Sequence, residues 1–168
     1  MRIPLKSAAE LGAMRESGRM TAEVLECVSE AVRPGVTTGE LDALTWRVIA
    51  GMGAKPSFLG YRGYPAAICI SINDEVIHGI PGPRVVRPGD VVSLDVGVYY
   101  KGFHGDSAVT VMVGVTDPEV VRLVEAARRA LAAAVAAVRP GVRLSDVSHT
   151  VEQVVGAAGC SVVRDFVG

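Results

Sequence analysis

Asp95 lies in the middle of an apolar run, Val91-Val92-Ser93-Leu94-Asp95-Val96, that reads as a strand. Strands deplete aspartate, and a buried carboxylate is costly unless it is paired or metal-bound. A second acid, Asp106, follows eleven residues later in the next predicted strand. If the chain reverses near Tyr100-Lys101, Asp95 faces Asp106 directly across a hairpin. Directly opposed Cβ atoms lie about 4.5–5.5 Å apart, so two like charges there repel unless something positive sits between them. Two hard carboxylates converging on one point suit a divalent metal, or two ions sharing one bridging oxygen. Two other arrangements fit the same residues: a solvent-facing edge hairpin, and a bulge that breaks the register.

His78 ends a predicted strand in Val76-Ile77-His78-Gly79-Ile80-Pro81. A histidine there can face a cleft and donate to a substrate, although a lone histidine is more often structural. His104 stands two residues before Asp106 and shares its face in a regular strand, as a partner of the acids or as filler. His149 falls on a predicted helix and is expected to be exposed. Tyr61, Tyr64 and Cys69 flank the first hairpin, where they could line an apolar pocket or simply belong to the core. No serine sits in a nucleophile elbow, and neither a P-loop nor a dinucleotide fingerprint occurs.

These groups need a scaffold, and composition bounds it. The 168 residues are 49% apolar and 21% charged, enough for one folded domain with a substantial core. The net charge of −1 gives no basic surplus for nucleic acid or an anionic membrane. Cys27, Cys69 and Cys160 are far apart and lack C-x-x-C spacing, which fits reduced thiols in a cytosol better than disulfides or a zinc knot. The N-terminus lacks the apolar run of a secretory signal, and the most hydrophobic helical stretch, Val120 to Val138, carries Arg122, Glu125, Arg128 and Arg129.

Capping boxes at Ser7-Ala8-Ala9-Glu10 and Thr37-Thr38-Gly39-Glu40 open two amphipathic helices. Arg33-Pro34-Gly35 ends the first and Gly51 to Gly53 the second. Strands are expected at Ala67–Ile72, with Asn73-Asp74 as a turn and Glu75–His78 as the return, then at Val91–Tyr99 and Phe103–Val113. Asp117-Pro118 starts a third helix that ends at Arg139-Pro140-Gly141. A fourth runs from about Leu144 to Ala157, and Cys160–Val167 reads as a last strand.

Val32-Arg33-Pro34-Gly35-Val36 recurs as Val138-Arg139-Pro140-Gly141-Val142. In both places a long helix precedes it. A second helix, a small-residue stop and a short strand (Ser57-Phe58; Val163-Arg164) follow. This predicts a duplicated helix–helix–strand unit, its first half at about 1–113 and the start of its second at about 117–168. The third Arg-Pro-Gly, at residues 87–89, is a reminder that this tripeptide is also simply a good turn. On this pattern the chain stops where the second half's further strands are due. The expectation is a single, incomplete catalytic domain, poorly stable, with an open sheet edge prone to association.

Five blocks together resemble type I methionine aminopeptidases: Gly60-Tyr61-Arg62-Gly63-Tyr64-Pro65, Cys69-Ile70-Ser71-Ile72-Asn73, His78-Gly79-Ile80-Pro81, Gly89 to Val96, and Gly102-Phe103-His104-Gly105-Asp106. Their order and spacing carry the likeness, which runs from about residue 3 to the last residue. The resemblance implies the pita-bread α/β (α+β) fold, two pseudo-symmetric halves around a mostly antiparallel curved sheet with flanking helices. It implies Asp95 and Asp106 as metal ligands and His78 as the catalytic histidine that contacts substrate near the scissile peptide. Tyr61, Tyr64 and Cys69 become walls of a methionine pocket, and Asn73 a neighbour of a monovalent-cation site. Two divalent ions (cobalt, manganese, iron or zinc) would share a water or hydroxide that attacks the first peptide carbonyl, a glutamate ligand shuttling the proton. The implied reaction removes the initiator methionine from nascent chains whose second residue is small. It would take place in the cytoplasm, by a monomer that meets the N-termini of nascent polypeptides, with the ribosome as a further partner.

Arg62 stands where many members of that family carry histidine, at the pocket rim. The family completes its metal site with one histidine and two glutamates, and the histidine follows a segment like Asp165-Phe166-Val167-Gly168. With two of five protein ligands present, this chain by itself is expected to be inactive. Two alternatives are a non-catalytic binding module on the same fold and a pita-bread peptidase that cleaves before proline. The intact acids and His78 weigh against the first. The tight spacing of the His78 and Asp95 blocks weighs against the second.

Overall fold

The computed structural model describes residues 3–164. It comprises two compact units, Met1–Gly114 and Val115–Gly168, taken in turn.

The first unit opens with α1 (Ala8–Ala31) and α2 (Thr38–Gly51). Both predicted capping boxes form: Glu10 N donates to Ser7 Oγ and Ser7 N to Glu10 Oε2, and Glu40 and Thr37 repeat the exchange. Two orphan amides are thereby satisfied at each helix start. Between the helices, Arg33-Pro34-Gly35-Val36 makes a β-turn, with Val36 N donating to Arg33 O and Gly35 at φ 92°. Proline presets the first turn position, and glycine alone takes the left-handed second one without strain. α2 stops in a Schellman arrangement: Gly53 is left-handed (φ 70°) and Ala54 N donates back to Ile49 O.

Four strands follow: β1 (Lys55–Pro56), β2 (Ile68–Ile72), β3 (Val91–Tyr100) and β4 (Phe103–Met112), all antiparallel to their partners. β4 pairs along the whole of β3. β1 and β2 therefore share the other edge of β3, at Val98–Tyr99 and Val92–Val96. Alternation gives the sheet two chemically different faces. Ile68, Ile70, Ile72, Val92, Leu94, Val96 and Val98 share one face, are all but fully buried, and belong to one cluster with Val24, Val28, Leu41 and Ile49 of the helices. Burying each such side chain is worth about 1.5–3 kcal/mol. The opposite face carries Cys69, Ser71, Ser93, Asp95, Gly97 and Asp106, and it is the face left to do chemistry.

α1 lies close on the hairpin of β3 and β4. A Cβ on Gly105 would fall 2.7 Å from Ser17 O and 2.4 Å from Thr21 Oγ1. The buried Ser17 hydroxyl donates to Val98 O at 2.7 Å. This close approach fixes Gly105 toward the helix and turns its neighbour Asp106 to the opposite face.

The structure corrects three readings of this sheet. The hairpin turns at Lys101-Gly102, both left-handed (φ 48° and 88°), with Tyr100 opposite Phe103. A two-residue loop with both central residues left-handed matches the strand twist. The register is therefore shifted from the expected one: Asp106 opposes Gly97, and Asp95 opposes Ala108. The return strand expected at Glu75–His78 does not form. After a left-handed Asn73 (φ 60°), the segment runs irregularly past β2 and touches it at two points. Ile72 N donates to Glu75 Oε2, and Ile70 N donates to Gly79 O. The short strand expected at Ser57-Phe58 lies two residues earlier, in β1.

In the second unit, α3 (Pro118–Ala137) begins with Asp117 as N-cap, accepting from Glu119 N, and Pro118 at the first helical position. Arg139-Pro140-Gly141-Val142 repeats the β-turn, and α4 (Leu144–Ala157) packs on α3. α4 ends as α2 does, with Gly159 left-handed and Cys160 N donating to Val155 O. No strand forms over residues 160–164, against the expected Cys160–Val167 strand; its remaining positions, Asp165 to Val167, lie outside the described residues. His149 is exposed on α4 beside Glu152.

Candidate functional site

On the polar face of the sheet lies a cavity of about 600 Å³, within the size range of small-molecule sites. β3 and β4 supply Asp95 and Asp106, β2 supplies Cys69, and the irregular return segment supplies His78 and Ile80. The loop after β1 supplies Phe58, Tyr61, Arg62 and Tyr64. The expected acids, histidine, tyrosines and cysteine thus line a single cavity, whereas Asn73 does not.

Because Asp106 opposes Gly97, the two carboxylates meet on the diagonal of the ladder and project from the same face. Diagonal neighbours lie about 7–8 Å apart at the backbone, within reach of side chains that lean together. Glycine at 97 leaves space that Phe58 fills: a Cβ there would lie 2.7 Å from Phe58 Cε1 and from Ser57 Cβ. Phe58 is thereby held as a wall of the cavity. Neither Phe58 nor Ile80 was singled out in the sequence. No local signal marks Phe58, because Gly97 faces an acid only in the observed register.

Asp95 Oδ1 is buried and has no hydrogen-bond partner. Burial first, and the negative charge of Asp106 second, push the Asp95 carboxyl from its ordinary 3.8 up to about 6, with His78 acting in the opposite sense. A buried, unpartnered carboxylate oxygen beside a second carboxylate is an arrangement that a hard divalent cation would satisfy through both groups. The pair therefore fits a metal. Among the described residues no group of three or more His, Cys, Asp or Glu side chains comes together to hold one.

Cys69 stands directly opposite Asp95 on β2. Burial raises its thiol pKa; the neighbouring Tyr64 hydroxyl works the other way, and the charges of Asp95 and Asp106 add to the rise. It is therefore a neutral wall and not an activated nucleophile. The Tyr64 hydroxyl, its own pKa raised by burial and then by Cys69, lies 2.9 Å from Gly79 O and 3.1 Å from Ile68 O. Its single proton is committed to backbone, so Tyr64 offers the cavity its ring. Tyr61 sits in a tight helical turn, Tyr61–Gly63, with the Arg62 guanidinium 5.5 Å from its ring.

Two residues are engaged elsewhere. His104 opposes Tyr99, stacks with it at 4.7 Å between ring centroids, and shares a 2.9 Å hydrogen bond with Ser57 Oγ. The Asn73 amide donates to Asp90 Oδ1 and accepts from Val91 N, bracing the entry to β3.

Comparison with known proteins sets this geometry in a family. A family model described as metallopeptidase family M24 matches residues 12–168. The chain is 43% identical over 166 residues to methionine aminopeptidase 1 of Bacillus subtilis, covering 99% of this chain and 67% of that protein. It is 46% identical over 165 residues to methionine aminopeptidase 1 of Mycobacterium tuberculosis, covering 98% of this chain and 62% of that protein. A crystal structure of methionine aminopeptidase from Thermotoga maritima superposes with a TM-score of 0.96 at 40% identity, over 99% of this chain and 68% of that one. A Xaa-Pro dipeptidase from Bacillus anthracis superposes at 0.81 with 22% identity, over 92% of this chain and 42% of that one, a likeness of fold alone. The chain thus spans about two thirds of the length of its methionine aminopeptidase relatives, and the fold is the pita-bread fold that they share with the proline-directed peptidases.

Proposed function

The chain belongs to metallopeptidase family M24, and on that premise we propose that it acts as a type I methionine aminopeptidase. It removes the initiator methionine of nascent proteins when the second residue is small. One observation carries the reading: two carboxylates from neighbouring strands, one with a buried oxygen lacking any donor, converge on a cavity that Phe58, Tyr61, Tyr64 and Ile80 also line. Its homologues are methionine aminopeptidases and its family is metal-dependent. The identity to proline-directed peptidases is much lower, and no comparison supports a non-catalytic module.

In this reading Asp95 and Asp106 hold divalent metal, two ions in number. When bound, the metal supplies Lewis acidity toward a carbonyl and a water made nucleophilic at neutral pH. The chain's own residues do the rest. Phe58, Tyr61, the Tyr64 ring and Ile80 take up the methionine side chain, whose thioether suits aromatic edges. Cys69, kept neutral, closes the floor without competing as a nucleophile. His78, exposed at the cavity, contacts the scissile peptide and orients it. The substrates are N-termini of nascent polypeptides, met by a monomer in the cytoplasm. Free cysteines and the lack, among the described residues, of any helix long and apolar enough to cross a membrane agree with that setting.

The test is release of methionine from Met-Ala-Ser and Met-Lys-Ser peptides by metal-loaded protein expressed from its complete reading frame. Manganese- or cobalt-dependent cleavage of the first and not the second is expected. Cleavage of both, or of neither with metal bound, contradicts the assignment.

A further inference from the structure

Among the described residues the buried hydroxyl of Ser71 has one hydrogen-bonding partner, and that partner is the residue beside His78. Ser71 is 5% exposed, the last residue but one of β2, and its Oγ accepts from Gly79 N at 3.1 Å. Nothing in the strand itself needs a hydroxyl there, since alanine would fill the same position.

The segment that carries His78 has little else to hold it. It is not a strand, and Val76 and Ile77 are 61% and 46% exposed, so apolar burial holds it only weakly. Glu75 anchors its start against Ile72. Gly79 anchors its end: its N–H donates to Ser71 Oγ, and its carbonyl accepts from Ile70 N at 2.9 Å and lies 2.9 Å from the Tyr64 hydroxyl. The backbone there presses so closely on β2 that a Cβ on Gly79 would lie 2.1 Å from Ile70 O. Between these anchors His78 adopts a left-handed backbone, φ 58°, uncommon outside glycine although histidine takes it more readily than most residues. Such a conformation persists only where its surroundings dictate it, and it collects at functional sites.

We propose that Ser71 is a positioning residue for His78. By accepting the Gly79 N–H it fixes the peptide that leaves His78, and so the left-handed turn that presents the imidazole to the cavity. The inference rests on the reading of His78 as the group that contacts substrate. Its prediction is a loss chiefly in turnover, since the methionine pocket, Ile80 apart, is built from the loop after β1 and from β2. A displacement of about an ångström at such a group costs up to about a hundredfold.

The experiment compares Ser71→Ala, Ser71→Thr and Ser71→Val in metal-loaded protein expressed from its complete reading frame, with Met-Ala-Ser as substrate. Expected for Ser71→Ala is a fall in kcat of about tenfold or more with KM within about threefold. In the same variant the Gly79 amide, followed by NMR, exchanges at least about tenfold faster while the β2 amides keep their protection. Threonine and valine have nearly the same shape, so retention of activity by Ser71→Thr and its loss in Ser71→Val would assign the effect to the hydroxyl even if the alanine variant did not fold. Introduced into a His78→Ala background, Ser71→Ala should cost nothing further. Faster Gly79 exchange with unchanged kcat, or an equal loss in the His78→Ala background, overturns the proposal. If His78→Ala itself leaves turnover unaltered, the substrate-contacting role of His78 fails and the positioning role fails with it; faster Gly79 exchange would then mark Ser71 as structural.

Discussion

Asp106 stands opposite Gly97, not opposite Asp95, so the two acids of the candidate metal centre are diagonal neighbours across the β3–β4 ladder. The offset separates two negative charges that would repel more strongly face to face. It also leaves Gly97 bare for Phe58 to cover, which joins the acidic end of the cavity to its apolar wall.

The metal-free protein should lose stability as pH rises through the titration of Asp95. Its folded-state pKa is raised to about 6 from an ordinary 3.8. The folded protein therefore binds the proton more tightly than the unfolded chain does. That contribution is fully present below about pH 4 and is lost as pH rises through about 6. Urea unfolding of metal-free protein at pH 5 and pH 7 should favour pH 5, and Asp95→Asn should flatten the difference. A wild-type midpoint that rises over this window through Asp95 would contradict the geometry.

Two glycines on the hairpin should respond differently to alanine. At Gly105 the added carbon meets Thr21 Oγ1 and Ser17 O, the latter a helix backbone that cannot move alone; at Gly97 it meets Ser57 Cβ and the end of the Phe58 side chain, both on the loop after β1. Overpacking of this kind costs about 1–3 kcal/mol, and Gly105→Ala should lie at or above the top of that range. Gly97→Ala should cost less stability and raise KM for methionyl peptides, because Phe58 must leave its wall. Chemical denaturation and steady-state kinetics on both variants give the comparison.

Cys69 should be the slowest of the three cysteines to alkylate. It is buried with a raised thiol pKa, whereas Cys27 and Cys160 are partly exposed. Mass spectrometry of iodoacetamide-treated native protein at pH 7 should find Cys69 modified last. Early modification would mean that the cavity floor is open.

Much of this was legible in the residues. Ser7/Glu10 and Thr37/Glu40 announced two helix starts because a capping box is a local exchange of hydrogen bonds, independent of the rest of the fold. Asp95 announced itself through its cost in an apolar strand. The register was not legible from the acids. It was set by Lys101-Gly102, where Gly102 marked the second left-handed position but lysine at the first gave no sign of the turn type. The missing return strand has a similar cause. Val76 and Ile77 look like strand residues, but Glu75 turns back on Ile72 three residues earlier, and the contact of Gly79 with Ile70 depends on chain brought back by the fold. Phe58 and Ile80 became site residues only through that folding back. The chemistry of the acids was local enough to read, and the walls around them were not.

The account stands on Asp95 and Asp106 sharing a cation, and titration calorimetry with manganese tests it most directly. Metal-free protein from its complete reading frame is compared with Asp95→Ala and Asp106→Ala. Each single substitution should weaken binding by at least about tenfold, the scale of losing one charged ligand from a carboxylate site, with the heat of both tight sites reduced together. Wild-type affinity retained in either variant would contradict a shared ion and with it the assignment of this face of the sheet as the metal centre.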